Sequence, residues 1–195
     1  MTRLLQLWRL GRRSEASQLV EFAVSLPLLV VFVVGIFDFG QAFNIKLKLS
    51  GAVREGARVG ASFPTSDLTG NSIQGGGTID GIRDVVDAYL VSSGLNDCGL
   101  QSYSGTQTGG TLTWVYMASG GGNGGCPGPL ILTINRGFAF KTTVNANQVD
   151  LICTQVMITY PFAWHFNSVI QLLVPGASYA GITQIPSDAL VPNLD

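Results

Sequence analysis

Between Glu21 and Asp38 the chain runs for sixteen residues without a charge, Phe22 to Phe37, reading F-A-V-S-L-P-L-L-V-V-F-V-V-G-I-F. As a helix this stretch covers about 24 Å, slightly less than the roughly 30 Å of a bilayer's hydrocarbon layer. It is apolar on every side, unlike the single apolar stripe of a helix on the surface of a soluble fold. Beyond Asp38 the pattern becomes helical and two-faced. Phe39, Ala42, Phe43, Leu49, Ala52, Val53, Gly56 and Val59 recur at three- and four-residue spacing, while Asn44, Lys48, Glu55 and Arg58 stay polar. One continuous helix over residues 17–62 is predicted, roughly 69 Å long. Phe63-Pro64 ends it, because a residue before proline disfavours helical geometry.

After Pro64 the chain turns to Gly, Ser, Thr and Asn. Residues 65–77 read as a loop ending in Gly75-Gly76-Gly77, and Thr78 or Asp80 can cap a helix running to about Ser92, with Ile82, Val85, Val86, Tyr89 and Leu90 inward. Strand-like runs follow at residues 111–117, 130–135, 150–160 and, more weakly, 178–185. Residues 120–125, Gly-Gly-Gly-Asn-Gly-Gly, form a hairpin connection between them. The expected fold class is α+β: a long N-terminal transmembrane helix continuing into a small head with an antiparallel sheet packed on it. Residues 1–16 form a basic leader, residues 17–62 the long helix with its membrane part at about 19–39, and residues 63–195 the head.

Composition narrows the function classes. Asp, Glu, Lys and Arg make 12% of the chain, about half the roughly 25% of a typical soluble domain. A mean hydropathy of +0.34 excludes a charged disordered chain. Eleven basic against twelve acidic residues leave no positive field for nucleic acid. The charge is unevenly spread: residues 1–60 sum to +4 and residues 61–195 to −5. A cleaved secretory signal would need small residues after the apolar run, and Asp38-Phe39-Gly40-Gln41 does not supply them. A single membrane-spanning helix is the reading that remains. Arg3, Arg9, Arg12 and Arg13 precede it against Lys46 and Lys48 after it, which places the N-terminus in the cytoplasm and the head outside.

Two stem residues are costly without a partner. Pro27 cannot donate to the carbonyl of Ala23. Glu21 in an apolar layer costs on the order of 2–3 kcal/mol even on mild scales; it either touches lipid headgroups or awaits a positive group from a neighbouring subunit. Ala52, Gly56 and Gly60 place small residues on one face, where another backbone can approach.

The stem resembles the TadE-like family, minor pseudopilins of tight-adherence (Tad/Flp) type IV pili. The resemblance is carried by Val20-Glu21-Phe22-Ala23 leading into an apolar run with Pro27, then Gly35-Ile36-Phe37-Asp38-Phe39-Gly40, and Ala52-Val53-Arg54-Glu55-Gly56-Ala57-Arg58. Val156 to Phe162 is similar, more weakly, to the late strand and Tyr-Pro turn of such heads. The resemblance implies a bacterial inner-membrane precursor cut by a prepilin peptidase. With the motif glutamate as fifth mature residue, Ser17 is the first residue of the mature chain and Ala16, where the family commonly has glycine, the last of the leader. Implied partners are other pilins through the N-terminal helix, the peptidase, membrane lipid and the pilus assembly platform. Cleavage would create an α-amino group at Ser17, and pairing it with Glu21 of the next subunit would set register in an otherwise apolar bundle.

Three cysteines, Cys98, Cys126 and Cys153, lie in the expected external head, and three single pairings are possible. Cys98 with Cys126 is preferred, because both flank loops that a hairpin could bring together, leaving Cys153 as a buried thiol within a strand. Phe162, Trp164 and Phe166 alternate and read as sheet core, a lid on the stem or a subunit contact. The lone histidine, His165, cannot build a multi-histidine metal site, and the cysteines are too widely spaced for paired zinc ligation. Neither a G-x-S-x-G elbow nor a phosphate loop occurs. Asp80, Asp84 and Asp87 share a helix face, most simply a solvated one. No enzyme, cofactor or metal is expected. The leading expectation is a structural assembly protein for pili and surface attachment; the alternative is a membrane-anchored extracytoplasmic binding module that is neither cleaved nor assembled.

Overall fold

The computed structural model describes residues 2–64, 77–108, 111–120, 125–144, 147–165, 171, 176 and 182–194. Helix α1 spans Thr2–Ser62 and α2 spans Thr78–Ser92; a 3-10 turn at Leu100–Ser102 leads to strands β1 (Thr106–Gln107), β2 (Thr113–Ala118), β3 (Leu130–Val144), β4 (Asn147–Ala163) and β5 (Ile182–Pro192). Two compact units divide the chain: Met1–Gln41 with Trp164–Gly181, and Ala42–Ala163 with Ile182–Asp195. The fold is α+β, with a long apolar N-terminal helix and a head containing a five-stranded antiparallel sheet and a second helix.

Helix α1 starts at Thr2 rather than residue 17. Leu, Gln, Arg, Glu and Ala dominate the intervening stretch, and all are good helix formers. In the second unit, Leu49, Ala52, Val53 and Ala57 of α1 meet Ile82, Val86 and Leu90 of α2 and the sheet residues Leu132, Ile134, Val156 and Ile158 in one buried core. The small-residue face is what allows this approach. A Cβ on Gly56 would lie 2.6 Å from Val86 Cγ2, and one on Gly60 would lie 2.8 Å from both Ile82 Cδ1 and Thr154 Cγ2.

Helix α2 has the expected length, but neither Thr78 nor Asp80 caps it: the N-cap is Gly77, with no side-chain bond. Asp80 instead accepts a hydrogen bond from the Tyr116 hydroxyl (2.9 Å) and pairs with Arg83 (3.2 Å). Val85 and Tyr89 are only half-buried beside the buried Ile82, Val86 and Leu90. The helix closes at Gly94, whose φ of +71° suits glycine and lets Leu95 N–H donate to Leu90 O (2.9 Å).

The sheet is an antiparallel meander in the order β1-β2-β3-β4-β5. Several boundaries differ from the sequence expectation. Strand β2 begins at Thr113, not 111, because Thr111 closes a turn through its N–H and Oγ1 to Thr108 O. The two-residue β1 is too short to produce an alternation signal. Strand β3 does not stop at Asn135. A bulge between Asn135 and Phe138 interrupts the pattern, and pairing with β4 then continues from Phe138↔Cys153 to Val144↔Asn147. Strand β4 correspondingly runs over Asn147–Ala163 rather than 150–160. The final strand occupies Ile182–Pro192, and of the expected run at 178–185 the residues 178–181 lie outside those described. Pro186 and Pro192 mask β5 in the sequence, yet as an edge strand it tolerates both. Most of the expected loop at 65–77, most of the glycine connection at 120–125, and Phe166 also lie outside the described residues.

At the bulge sits Arg136, a fully buried residue. Its Nη2 donates to Phe63 O just past the end of α1 (2.9 Å), and its carbonyl accepts from Asn193 Nδ2 (3.3 Å). Leu194 N–H donates to Ala61 O (3.1 Å), so a C-terminal carbonyl of α1 is met by the last residues of the chain and the carbonyl just past the helix by a cation.

Candidate functional site

The surface with the strongest functional signal is the upper part of α1. Leu19, Val20, Phe22, Val24, Leu28, Leu29, Phe32, Ile36, Phe37, Phe39 and Phe43 are exposed large apolar side chains. Such a contiguous apolar surface needs lipid or protein to cover it. Among the described residues one helical stretch, Ser17–Ser62, is long and apolar enough to cross a membrane. That stretch is therefore suited to be a single membrane anchor.

The residues singled out in the sequence fall into three settings. Ala16 and Ser17 both lie within α1, so the helix runs across the bond between them. Glu21 is exposed in the apolar surface, and among the described residues no ion pair or side-chain hydrogen bond reaches it. Pro27 lies inside the helix, where nearby Ser25 Oγ donates to Phe22 O (3.1 Å).

Asp38, which ends the charge-free run, is almost wholly buried; its Oδ1 lies 3.3 Å from His165 Nδ1. Next to it, the Phe39 ring meets the Trp164 ring edge-on with centroids 5.3 Å apart. Gly40 is exposed, with open space where a Cβ would stand. Of the alternating aromatics, Phe162 is buried and Trp164 lies against α1.

The R-E-G-A-R stretch divides by face. Gly56 and Ala57 are buried in the head core, while Arg54 and Arg58 are exposed. Arg58 Nε donates to Glu55 Oε2 (3.0 Å), and this hydrogen bond holds the Glu55 carboxyl below its ordinary range. Lys46 and Lys48, read from sequence as charges flanking a membrane span, also tie α1 to the head. Lys48 Nζ donates to Ser93 O at the end of α2 (2.7 Å) and Lys46 Nζ to Pro186 O on β5.

In the head, Cys98 and Cys126 form a disulfide with Cα atoms 5.6 Å apart, and Cys153 is a buried free thiol whose titration is pushed up by burial. The three aspartates of α2 are only partly a solvated face, since Asp84 keeps about half of its side chain exposed. Asp80 and Asp84 hold Arg83, with Arg83 Nη2 2.7 Å from Asp84 Oδ1, while Asp87 is buried. Burial, together with the facing Asp97 carboxyl, raises Asp87 to about 6. Helical spacing along α2 reveals that these residues share a face but not that Tyr116 meets Asp80 and Asp97 faces Asp87. No group of three or more His, Cys, Asp or Glu residues suited to a metal occurs among the described residues.

No curated protein and no solved structure matches the chain. The family comparison does match: residues 16–58 fit the model described as TadE-like protein, so the stem, from Ala16 through Glu21, Pro27 and Asp38 to Arg58, is TadE-like and points to a protein associated with tight-adherence pili.

Proposed function

We propose that this chain is a minor pseudopilin contributing to the assembly of tight-adherence (Flp) pili and to surface attachment, with no catalytic role. In this reading it is held in the bacterial inner membrane by the upper part of α1, with residues 1–16 in the cytoplasm and the head outside. A prepilin peptidase cuts between Ala16 and Ser17, and the freed helix then joins other pilins on the assembly platform. The single observation that carries this reading is Glu21, a carboxylate exposed on an apolar helix surface within the TadE-like segment. Isolated in lipid it is costly. Paired with the α-amino group that cleavage creates at Ser17 of a neighbouring subunit, it removes two unpaired charges and sets axial register. Lipid and a helical bundle are similarly apolar surroundings, so transfer from one to the other need not expose the stem to water.

N-terminal sequencing of the membrane-extracted protein tests the first step: a chain beginning at Ser17 is expected, and one beginning at Met1 would instead favour an uncleaved, membrane-anchored binding module. Glu21→Ala tests the second. It is expected to enter the membrane normally and to be missing from sheared pili on immunoblots; normal incorporation would sink the register role.

A further inference from the structure

Strand β4 ends at Ala163, and the next two residues leave the sheet for the stem. Trp164 stacks edge-on against Phe39, and His165 Nδ1 lies 3.3 Å from Asp38 Oδ1. All four residues belong to the same compact unit. The Asp38 side chain is 4% exposed, while His165 is 73% exposed and Phe39 keeps most of its surface open.

The level of this contact along α1 gives it meaning. Asp38 is the first charged residue after the run Phe22 to Phe37, so the four side chains gather where the charge-free run ends. A carboxylate at the edge of a hydrocarbon layer is costly unless a polar group meets it, and His165 supplies that group. Tryptophan, with an apolar body and one N–H, is enriched at the headgroup level of membranes.

We infer that Asp38, Phe39, Trp164 and His165 form an interfacial clasp: Trp164 and His165 sit among phospholipid headgroups on the outer side of the bilayer and set the depth at which the span ends. This inference rests on α1 being a membrane helix. Asp38 and Phe39 mark the span's outer end, and Trp164 and His165, the two residues that follow β4, fasten to them.

Depth-resolved quenching tests the clasp on the full chain in phosphatidylcholine vesicles whose acyl chains carry bromine either near the headgroup or near the chain end. Trp164 emission is isolated as the difference between the wild type and Trp164→Phe. Leu29→Trp, made in the Trp164→Phe background, reports the middle of the span, where Leu29 is exposed. Shallow bromines are expected to quench Trp164 roughly twofold more than deep ones, with the order reversed for the tryptophan at position 29. His165→Ala is expected to reduce the Trp164 signal and leave the deep reporter unchanged. If the deep reporter is quenched and Trp164 is not, the clasp is wrong and the membrane helix stands. If neither is quenched, the membrane reading fails and takes the clasp with it. Trp164 quenching that changes with the lipid-to-protein ratio would identify a neighbouring copy, not lipid, as its contact and would overturn the inference.

Discussion

Adding one methyl group at Gly56 tests whether the small-residue face of the stem is the seat of the head's own helix. Alanine is favoured over glycine in a helix by about 1 kcal/mol. At Gly56 the new Cβ would stand 2.6 Å from Val86 Cγ2, with Ile82 Cγ2 at 3.6 Å and Val156 Cγ1 at 3.7 Å. Carbon atoms prefer separations of roughly 3.5–4.0 Å, so Val86 must retreat by about 1 Å. Val86 is fully buried and its branched side chain has one strongly preferred rotamer in a helix, so it cannot swing aside cheaply. Overpacking of this kind costs about 1–3 kcal/mol, which cancels or exceeds the helix gain.

Gly81→Ala is the matched control. Its Cβ would meet Phe63 Cε2 at 3.4 Å, an ordinary contact, so the helix gain is expected without the clash. Because both substitutions carry the same propensity change, Gly56→Ala should be the less stable of the two by about 1–3 kcal/mol. Denaturant unfolding of the detergent-solubilised protein, followed by fluorescence of the buried Trp114, measures the difference. Adding Val86→Ala should remove most of the clash in a double-mutant cycle. A Gly56→Ala protein as stable as Gly81→Ala would refute the seat.

Other consequences are accessible to simple measurements. Asp87 is raised to about 6 in the folded head, against roughly 3.9 for a free aspartate. Between those values the folded protein holds a proton that the unfolded chain has released, so stability falls as pH rises through that window. Arg83, Asp84 and Asp97 face Asp87 at that site. Asp87→Asn should flatten the pH dependence and leave the head more stable near neutrality; an unchanged stability profile would contradict the assignment. Breaking the Cys98–Cys126 disulfide with paired serines, across a sequence separation of 28 residues, should cost about 3–4 kcal/mol on the chain-entropy model. Thermal melts of the serine variant and of the reduced wild type should fall together, and a melt insensitive to reductant would count against it.

The stem was legible in the sequence because its signals are local. A charge-free run, a glutamate within an apolar stretch and a three-to-four spacing after Asp38 follow from helix geometry alone, and α2 was readable for the same reason. Strand boundaries were less so. The bulge at Asn135 to Phe138 breaks the alternation by which strands are read, and Pro186 and Pro192 conceal an edge strand that has no second neighbour to satisfy.

Long-range contacts lay beyond any local pattern. Gly56 and Gly60 read as an invitation to another backbone, and the fold answers it from within the chain, with Ile82 and Val86 of α2. Asp80, Asp84 and Asp87 share a face as expected, but only the folded head brings Tyr116 to Asp80 and Asp97 to Asp87 and so takes part of that face out of water. Nothing local in the sequence marks Arg136, and only the bulge turns it onto Phe63, just past the end of α1 and 73 positions earlier in the chain. The sequence by itself determined which segments are helical and which surface is apolar, because periodicity and transfer from water act residue by residue. The tertiary structure alone decided which polar groups meet, since a hydrogen bond or a buried charge depends on partners that chain closure brings together.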